Sequence, residues 1–324
     1  MNDSSTAEAF EHRPVMMREV VEVFATVPPG VFIDATLGGG GHAAALLDAR
    51  VDCTLLGLDR DADALAAAAV TLSRFGDRVR IARGNFAEIA EIARSELQEG
   101  DDIVGILFDL GVSSPQLDRA ARGFTFREEA PLDMRMDMRQ ETCAADVVNT
   151  YDEEELARII YEYGEERHSR RIARRIVENR PIQTTRELAE VVVAAIPAAL
   201  RRTGRHPARR TFQAIRMEVN RELPSLERGL DEAVTLITPG GRVAVISYHS
   251  LEDRMVKQHF AEASGTTPYV GPMPPLPVET AEPMARLVKR GAWKPSEEEV
   301  VENPRARSAR LRALERISET RAAS

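Results

Sequence analysis

The stretch DATLGGGGHAAALL, Asp34 to Leu47, combines residue types that serve ligand chemistry: four consecutive glycines, a histidine at their exit, and an Ala/Leu-rich segment beyond. An apolar run, Val31–Ile33, leads into it, so the glycines join a strand to a helix. Glycine there lets a ligand touch bare backbone, and the N–H groups of a helix start favour an anionic group. Asp59 ends the next apolar run, nineteen residues after Gly40. That is the position of the acidic residue that bonds ribose hydroxyls in nucleotide-binding folds. The pair predicts a nucleoside-cofactor site; a plain glycine turn with a surface Asp is the other reading.

The elements needed to position these residues are visible in the periodicity. Strand patterns at Val31–Ala35, Thr54–Leu58, Val79–Ala82 and Val104–Leu110 alternate with helical ones at Ala43–Asp48, Ala62–Phe75 and Ala87–Leu97. Such alternation builds a parallel sheet covered by helices. From Ser114 to Glu222 there is no strand pattern, only Glu- and Arg-rich helical stretches. Strand character returns at Gly240–His249, after a helix ending before Pro239, and again at Ala285–Lys289 and Ala309–Leu314. The Pro- and Gly-rich stretch before residue 284 reads as a loop. The expected architecture is one discontinuous α/β domain, residues 1–113 and 223–324, with an all-helical insertion at 114–222.

Gly38, Gly40 and Ala43 satisfy the dinucleotide fingerprint, so a nicotinamide cofactor is a rival. A doubly wound dinucleotide fold needs a second βαβ half, however, and a basic helical insertion stands in its place. S-adenosylmethionine (SAM) fits better. It has one nucleoside, a carboxylate for the glycine loop, and a sulfonium that tolerates nearby carboxylates such as Asp109. Phe86, soon after the third strand, either packs on adenine or begins a helix in the core.

The net charge of −9 argues at first against a nucleic-acid partner. Yet residues 165–216 hold thirteen Arg, no Lys and five Glu, a local charge of +8 that leaves −17 elsewhere. Asymmetry of this kind is the more informative quantity. A second basic patch, Arg305–Arg316, holds five Arg and one Glu. The two cysteines, Cys53 and Cys143, have no metal-ligand spacing, and neither a disulfide framework nor a metal site is expected. With no signal-peptide pattern and no apolar run of spanning length, the expected location is cytoplasmic, without membrane contact.

Several longer motifs carry a resemblance: FDLGVSSPQLD (Phe108–Asp118), RGFTFREEAPLDMRMD, YGEER, RHPARRTFQAIRMEVNREL, ISYHSLEDRMVK and ENPRARSARLR. Together they closely resemble the RsmH/MraW family of ribosomal RNA methyltransferases, over nearly the whole chain. The resemblance implies a Rossmann-like class I SAM-dependent methyltransferase sheet. It also implies methylation of N4 of a cytidine in the decoding region of 16S rRNA, with the small ribosomal subunit as partner. The cofactor contacts it implies are Gly40, Gly41, His42, Asp59, Phe86, Asp109 and Gln116. Two departures stand out: Ala130 where the family usually has Gly, and SYHS, with Tyr248, in place of SFHS.

SAM carries the reactive methyl group, so the protein must chiefly position and desolvate. The N4 amine of cytosine is a poor nucleophile because its lone pair is delocalised into the ring. SSPQ, just beyond Asp109, resembles the Pro-containing motif of other amino-group methyltransferases. Pro115 would stiffen the loop and Ser114 would accept an N4 proton, although an ordinary Ser-Pro turn has the same signature. The cytidine must leave its stack, and candidates for holding the RNA are His206, Arg209, Arg210, Arg216, His249 and Arg254. Alternatives remain: another methyl acceptor such as DNA or lipid, a dehydrogenase, or a ribosome-assembly factor that binds SAM without turnover. The oligomeric state stays open.

Overall fold

The computed structural model describes residues 14–111, 119–201, 206–266 and 283–317. Strands β1 (Gly30–Asp34), β2 (Cys53–Asp59), β3 (Val79–Arg83) and β4 (Ile103–Asp109) coincide closely with the four apolar runs. With β5 (Arg242–Ser247), β6 (Ala285–Leu287) and β7 (Arg310–Arg316) they form one seven-stranded sheet in the order β3-β2-β1-β4-β5-β7-β6. Strands β1 to β5 are parallel, and β7 runs antiparallel to both β5 and β6. The first four strands are thus parallel as their alternation with helices requires, while β7 makes the sheet mixed.

Two apolar layers cover the sheet, as the period of two in its strands demands. On one face Phe32 of β1 packs edge-on against Phe24 with ring centroids 5.4 Å apart. A Cβ at Gly105 would come within 2.4 Å of the Phe32 ring, so that strand glycine makes room for an aromatic side chain. Phe24 belongs to α1 (Met17–Phe24), a helix not anticipated from the pattern, which buries Val20, Val23 and Phe24. On the other face Val31 and Ile33 meet Phe108 and the apolar side of α10 (Glu222–Leu236), through Leu226, Leu230 and Ala233.

The helices α2 (Gly41–Ala49), α3 (Ala62–Leu72) and α4 (Ile89–Glu96) are the crossovers. The pattern that predicts one helix to Phe75 instead closes at Leu72 into a 3-10 turn, where Gly76 has φ 55°. Helices α5 (Ala144–Thr150), α6 (Glu153–Glu162), α7 (Ser169–Glu178), α8 (Thr185–Ala195) and α9 (Arg209–Asn220) surround a separate core. That core runs from Phe124 to Val219 and includes Ile159, Ile172, Leu188 and Phe212. Reciprocal capping boxes start α6 (Asp152 with Glu155) and α8 (Thr184 with Glu187). Ala130 exchanges bonds with Thr185, accepting its N–H at 2.9 Å and donating to its Oγ1 at 3.1 Å. Its φ is not positive, so the turn admits a Cβ. Among the described residues the remaining α-helices are α11 (Ser250–Ala263) and α12 (Glu297–Glu302). Among the described residues, no helix is long and apolar enough to cross a membrane.

Candidate active site

The glycine loop lies at the carboxyl edge of the sheet, between β1 and α2. Gly38 (φ 53°) and Gly40 (φ 81°) adopt left-handed conformations, which explains glycine at both. A Cβ at Gly40 would press on Leu72 at 3.2 Å, and one at Gly41 would strike Pro14 at 2.4 Å. Beside Gly39, by contrast, the space is open. One side of the turn is therefore packed and the other is accessible. The first N–H groups of α2 have no intrahelical acceptor, which suits that accessible side to a carboxylate.

Asp59 stands at the end of β2, as expected. Its Oδ2 accepts the Gly38 N–H and its Oδ1 the Asp61 N–H, both at 2.9 Å. Burial pushes its carboxyl above the ordinary Asp range, an effect these two backbone donors oppose. Each oxygen retains a lone pair for a further donor. Asp59 therefore both shapes the glycine turn and can accept a ribose hydroxyl.

Asp109, at the end of β4, receives three contacts. Its N–H donates to Thr36 Oγ1 at 2.6 Å, Tyr248 Oη donates to its Oδ1 at 2.7 Å, and His42 Nε2 lies 3.5 Å from its Oδ2. At that separation the His42–Asp109 pair has electrostatic contact but lacks hydrogen-bond alignment. Among the described residues, both ring nitrogens of buried His42 are without a hydrogen-bond partner. Burial alone would lower the His42 pKa, yet Asp109 and Asp34 outweigh it and hold it above the usual value.

Asp34, at the head of the glycine motif, has no role assigned by its sequence position. It is buried, its Oδ1 accepts the Thr36 N–H at 3.2 Å, and burial raises its pKa from 3.8 to about 7. His42 and the Thr36 bond oppose that rise, whereas Asp109 and Asp59 add to it. Three carboxylates around a bare backbone turn, with a buried histidine beside them, fit a cationic ligand that also carries hydroxyls and a carboxylate. SAM has that combination, and Gly40, Gly41, His42, Asp59 and Asp109 would hold it. Phe86 follows β3 and packs edge-on against Phe108 at 5.5 Å while staying partly exposed, so core packing and a face for adenine are compatible. Gln116, Ser114 and Pro115 lie outside the described residues.

The RNA candidates separate into groups. Arg254 Nη2 is 3.2 Å from Glu165 Oε1, Ser250 also donates to Glu165, and Arg210 lies 3.6 Å from Glu166. This joins the head of α11 to the helical module, through a Glu165 held at φ 48°. His249 caps α11, its Nδ1 accepting the Glu252 N–H at 3.4 Å. Its Nε2 lies 3.0 Å from Glu252 Oε1 without hydrogen-bond alignment. Burial would raise the Glu252 pKa, but His249, the Tyr248 N–H and Arg216 hold it below the usual range. Arg216 is not presented to solvent: its guanidinium pairs in bidentate fashion with Glu222, both contacts at 2.8 Å. Glu222, His249 and Glu252 place ligand-type atoms within 4.8 Å of one another, and the Arg216 guanidinium supplies positive charge there. His206 sits apart, stacked on Phe126 at 4.4 Å within the helical module. Arg209 and Arg210 open α9.

Sequence reasoning misses Arg60, which follows β2. It donates to the Asn220 carbonyl at 3.0 Å and contacts Met136 Sδ, tying the cofactor edge to the helical module. Its only sequence signal is adjacency to Asp59.

The strand order, the glycine loop and the acids ending β2 and β4 define a class I SAM-dependent methyltransferase fold. A profile of the MraW methylase family matches residues 9–317, and the chain belongs to that family. A ribosomal RNA small subunit methyltransferase H of Symbiobacterium thermophilum is 51% identical over 316 residues, covering 95% of this chain and 98% of that protein. One of the same name from Syntrophotalea carbinolica is also 51% identical, covering 96% of this chain and all (100%) of its own. Among solved structures, an rRNA methylase from Streptococcus thermophilus aligns over 95% of this chain and 98% of its own, at 10% identity and a TM-score of 0.42.

Proposed function

We propose that the protein transfers a methyl group from SAM to the exocyclic N4 amine of a cytidine in small-subunit ribosomal RNA. One observation carries this reading. Tyr248 bonds Asp109 in the cofactor edge, while its chain neighbours His249 and Ser250 lie against the arginine-bearing junction with the helical module. On this reading the cofactor site and the RNA-facing surface lie next to each other, as methyl transfer to a polyanion requires.

SAM supplies the electrophilic methyl group when bound. The residues of this chain would do the rest: Asp59 would accept from the ribose, the glycine turn would receive the methionine carboxylate, and Asp109 would balance the sulfonium charge. Ser114 and Pro115 would hold the acceptor amine with its lone pair aligned, since small losses of alignment are costly in rate. The helical module, residues 114–222, would grip the RNA. Arg209 and Arg210 would supply positive charge from the first turn of α9, where the helix dipole does not favour a cation. Arginine suits the task, pairing with phosphate and stacking on unpaired bases. Arg254 and His206 extend the surface, whereas Arg216 and His249 brace it from behind. The reaction belongs in the cytoplasm, where small subunits are assembled.

The test is transfer of radiolabel from SAM to small subunits, to naked rRNA and to duplex DNA in parallel. Labelled ribosomal RNA in either form supports the reading. Label on DNA alone, or on no substrate despite SAM binding, favours the other-acceptor or assembly-factor alternatives.

A further inference from the structure

The hydroxyl of Tyr248 has a partner that matters for the chemistry. It donates to Asp109 Oδ1 at 2.7 Å, leaving Oδ2 turned towards His42. Asp109 ends β4 and Tyr248 directly follows the neighbouring parallel strand β5, where Asp109 pairs with Ile246 in register and Leu110 N–H donates to the Ile246 carbonyl at 3.0 Å. The Tyr248 ring also rests against Gly111, where a Cβ would meet it at 3.4 Å, and Gly111 has φ 104°. Tyr248 is itself fixed, because its N–H donates to Glu252 Oε2 at 2.8 Å in the capping box of α11. Burial and the facing Asp109 carboxylate hold the phenol well above its ordinary pKa, so it is a permanent donor.

We infer that Tyr248 is a positioning residue for the cofactor: its hydroxyl holds the Asp109 carboxylate in the orientation that faces the sulfonium. The inference rests on the SAM reading above and on geometry. A partly exposed carboxylate at a strand end has broad freedom about its terminal bond. Thr36 holds only the backbone of Asp109, and His42 is too far for a directed bond. Among the described residues, Tyr248 is the contact that fixes Oδ1 and so decides where Oδ2 points.

The sulfonium provides a readout that simple packing would not move. SAM is cationic at sulfur, and S-adenosylhomocysteine (SAH), its demethylated product, is neutral there but otherwise shares its contacts. Tyr248→Phe keeps the ring and deletes only the hydroxyl. Calorimetric titration of both ligands into the wild-type protein and the variant should show SAM binding weakened by about fivefold with SAH unchanged, the scale of one hydrogen bond removed. Equal losses for both ligands would mean that the tyrosine only supports packing. No change for either would mean that the hydroxyl is a bystander. Either outcome overturns the inference while leaving the SAM reading intact. A wild-type protein that binds neither ligand would overturn both.

Discussion

Arg216 and Glu222 form a two-pronged ion pair, both contacts 2.8 Å, across the break between α9 and α10, where Arg221 adopts φ 48°. The pair is mostly buried and closes the helical module onto the sheet. Removing one partner of a buried pair strands the other charge, typically costing about 3–5 kcal/mol. Arg216→Ala should therefore lower the unfolding midpoint in denaturant markedly, and adding Glu222→Gln should recover part of the loss. Wild-type stability with weakened RNA binding would return Arg216 to the RNA surface.

The Asp59 carboxylate shapes the glycine turn and, on the function proposed above, would also accept a ribose hydroxyl of SAM. Asp59→Ala removes an acceptor of charged character, a loss of about 1.5–3 kcal/mol, and so should weaken SAM binding by roughly one to two powers of ten. Asp59→Asn retains one acceptor oxygen and should lose less. Calorimetry showing unchanged affinity in a folded Asp59→Ala protein would exclude this residue from the cofactor site.

Asp34 makes stability depend on pH in a direction opposite to that of an ion-paired carboxylate. Its folded pKa of about 7 exceeds its ordinary value of 3.8, so between those limits the folded state holds a proton that the unfolded state has lost. Stability attributable to Asp34 is therefore full below about pH 4, declines as pH rises, and is lost above about 7. The span corresponds to a penalty on the order of 4 kcal/mol. Asp34→Asn should gain stability relative to wild type progressively from about pH 4 to about pH 8. A difference in unfolding free energy that stays flat over that range would show that Asp34 does not titrate this way. Saturating SAM, whose cation favours the carboxylate, should shrink the slope.

For the basic surface, Arg209→Glu combined with Arg210→Glu should weaken RNA binding and leave SAM binding intact. Acids in the first turn of α9 complement the helix dipole, although Arg210→Glu also replaces the 3.6 Å contact with Glu166 by a like-charge one, so the fold of the variant is checked by circular dichroism. The log–log salt slope should flatten by about 0.7–0.9 for each phosphate that is no longer neutralised. Unaltered affinity and slope in a filter-binding titration would move the RNA surface elsewhere, with the Arg305–Arg316 patch as next candidate. That patch is already partly engaged, because Arg312 pairs with Asp253 at 2.8 Å.

Strands β1, β2, β4 and β5 are legible in the sequence because each is largely a compact apolar run, β3 and β7 because apolar residues recur between their arginines, and the glycine loop because its left-handed turns at Gly38 and Gly40 favour glycine. The second core is legible as the absence of strand pattern across residues 114–222. Helix α1 escapes notice since its short amphipathic stretch has no side-chain cap. The site is less readable than the fold. Arg216 and Arg210 look alike in sequence, yet one is neutralised by a residue six positions on and the other is mostly exposed. Tyr248 and Asp109 are 139 residues apart, and only strand adjacency brings hydroxyl to carboxylate. Pairings of that range are set by sheet topology, which local periodicity does not encode.

The central claim is the identity of the atom that receives the methyl group. Small subunits lacking the modification should be incubated with the protein and isotopically labelled SAM, and the RNA digested to nucleosides for mass spectrometry. Label is expected on a cytidine whose fragment retains the methyl on the base and matches an N4-methylcytidine standard. Label on a ring carbon or on a ribose oxygen would contradict it.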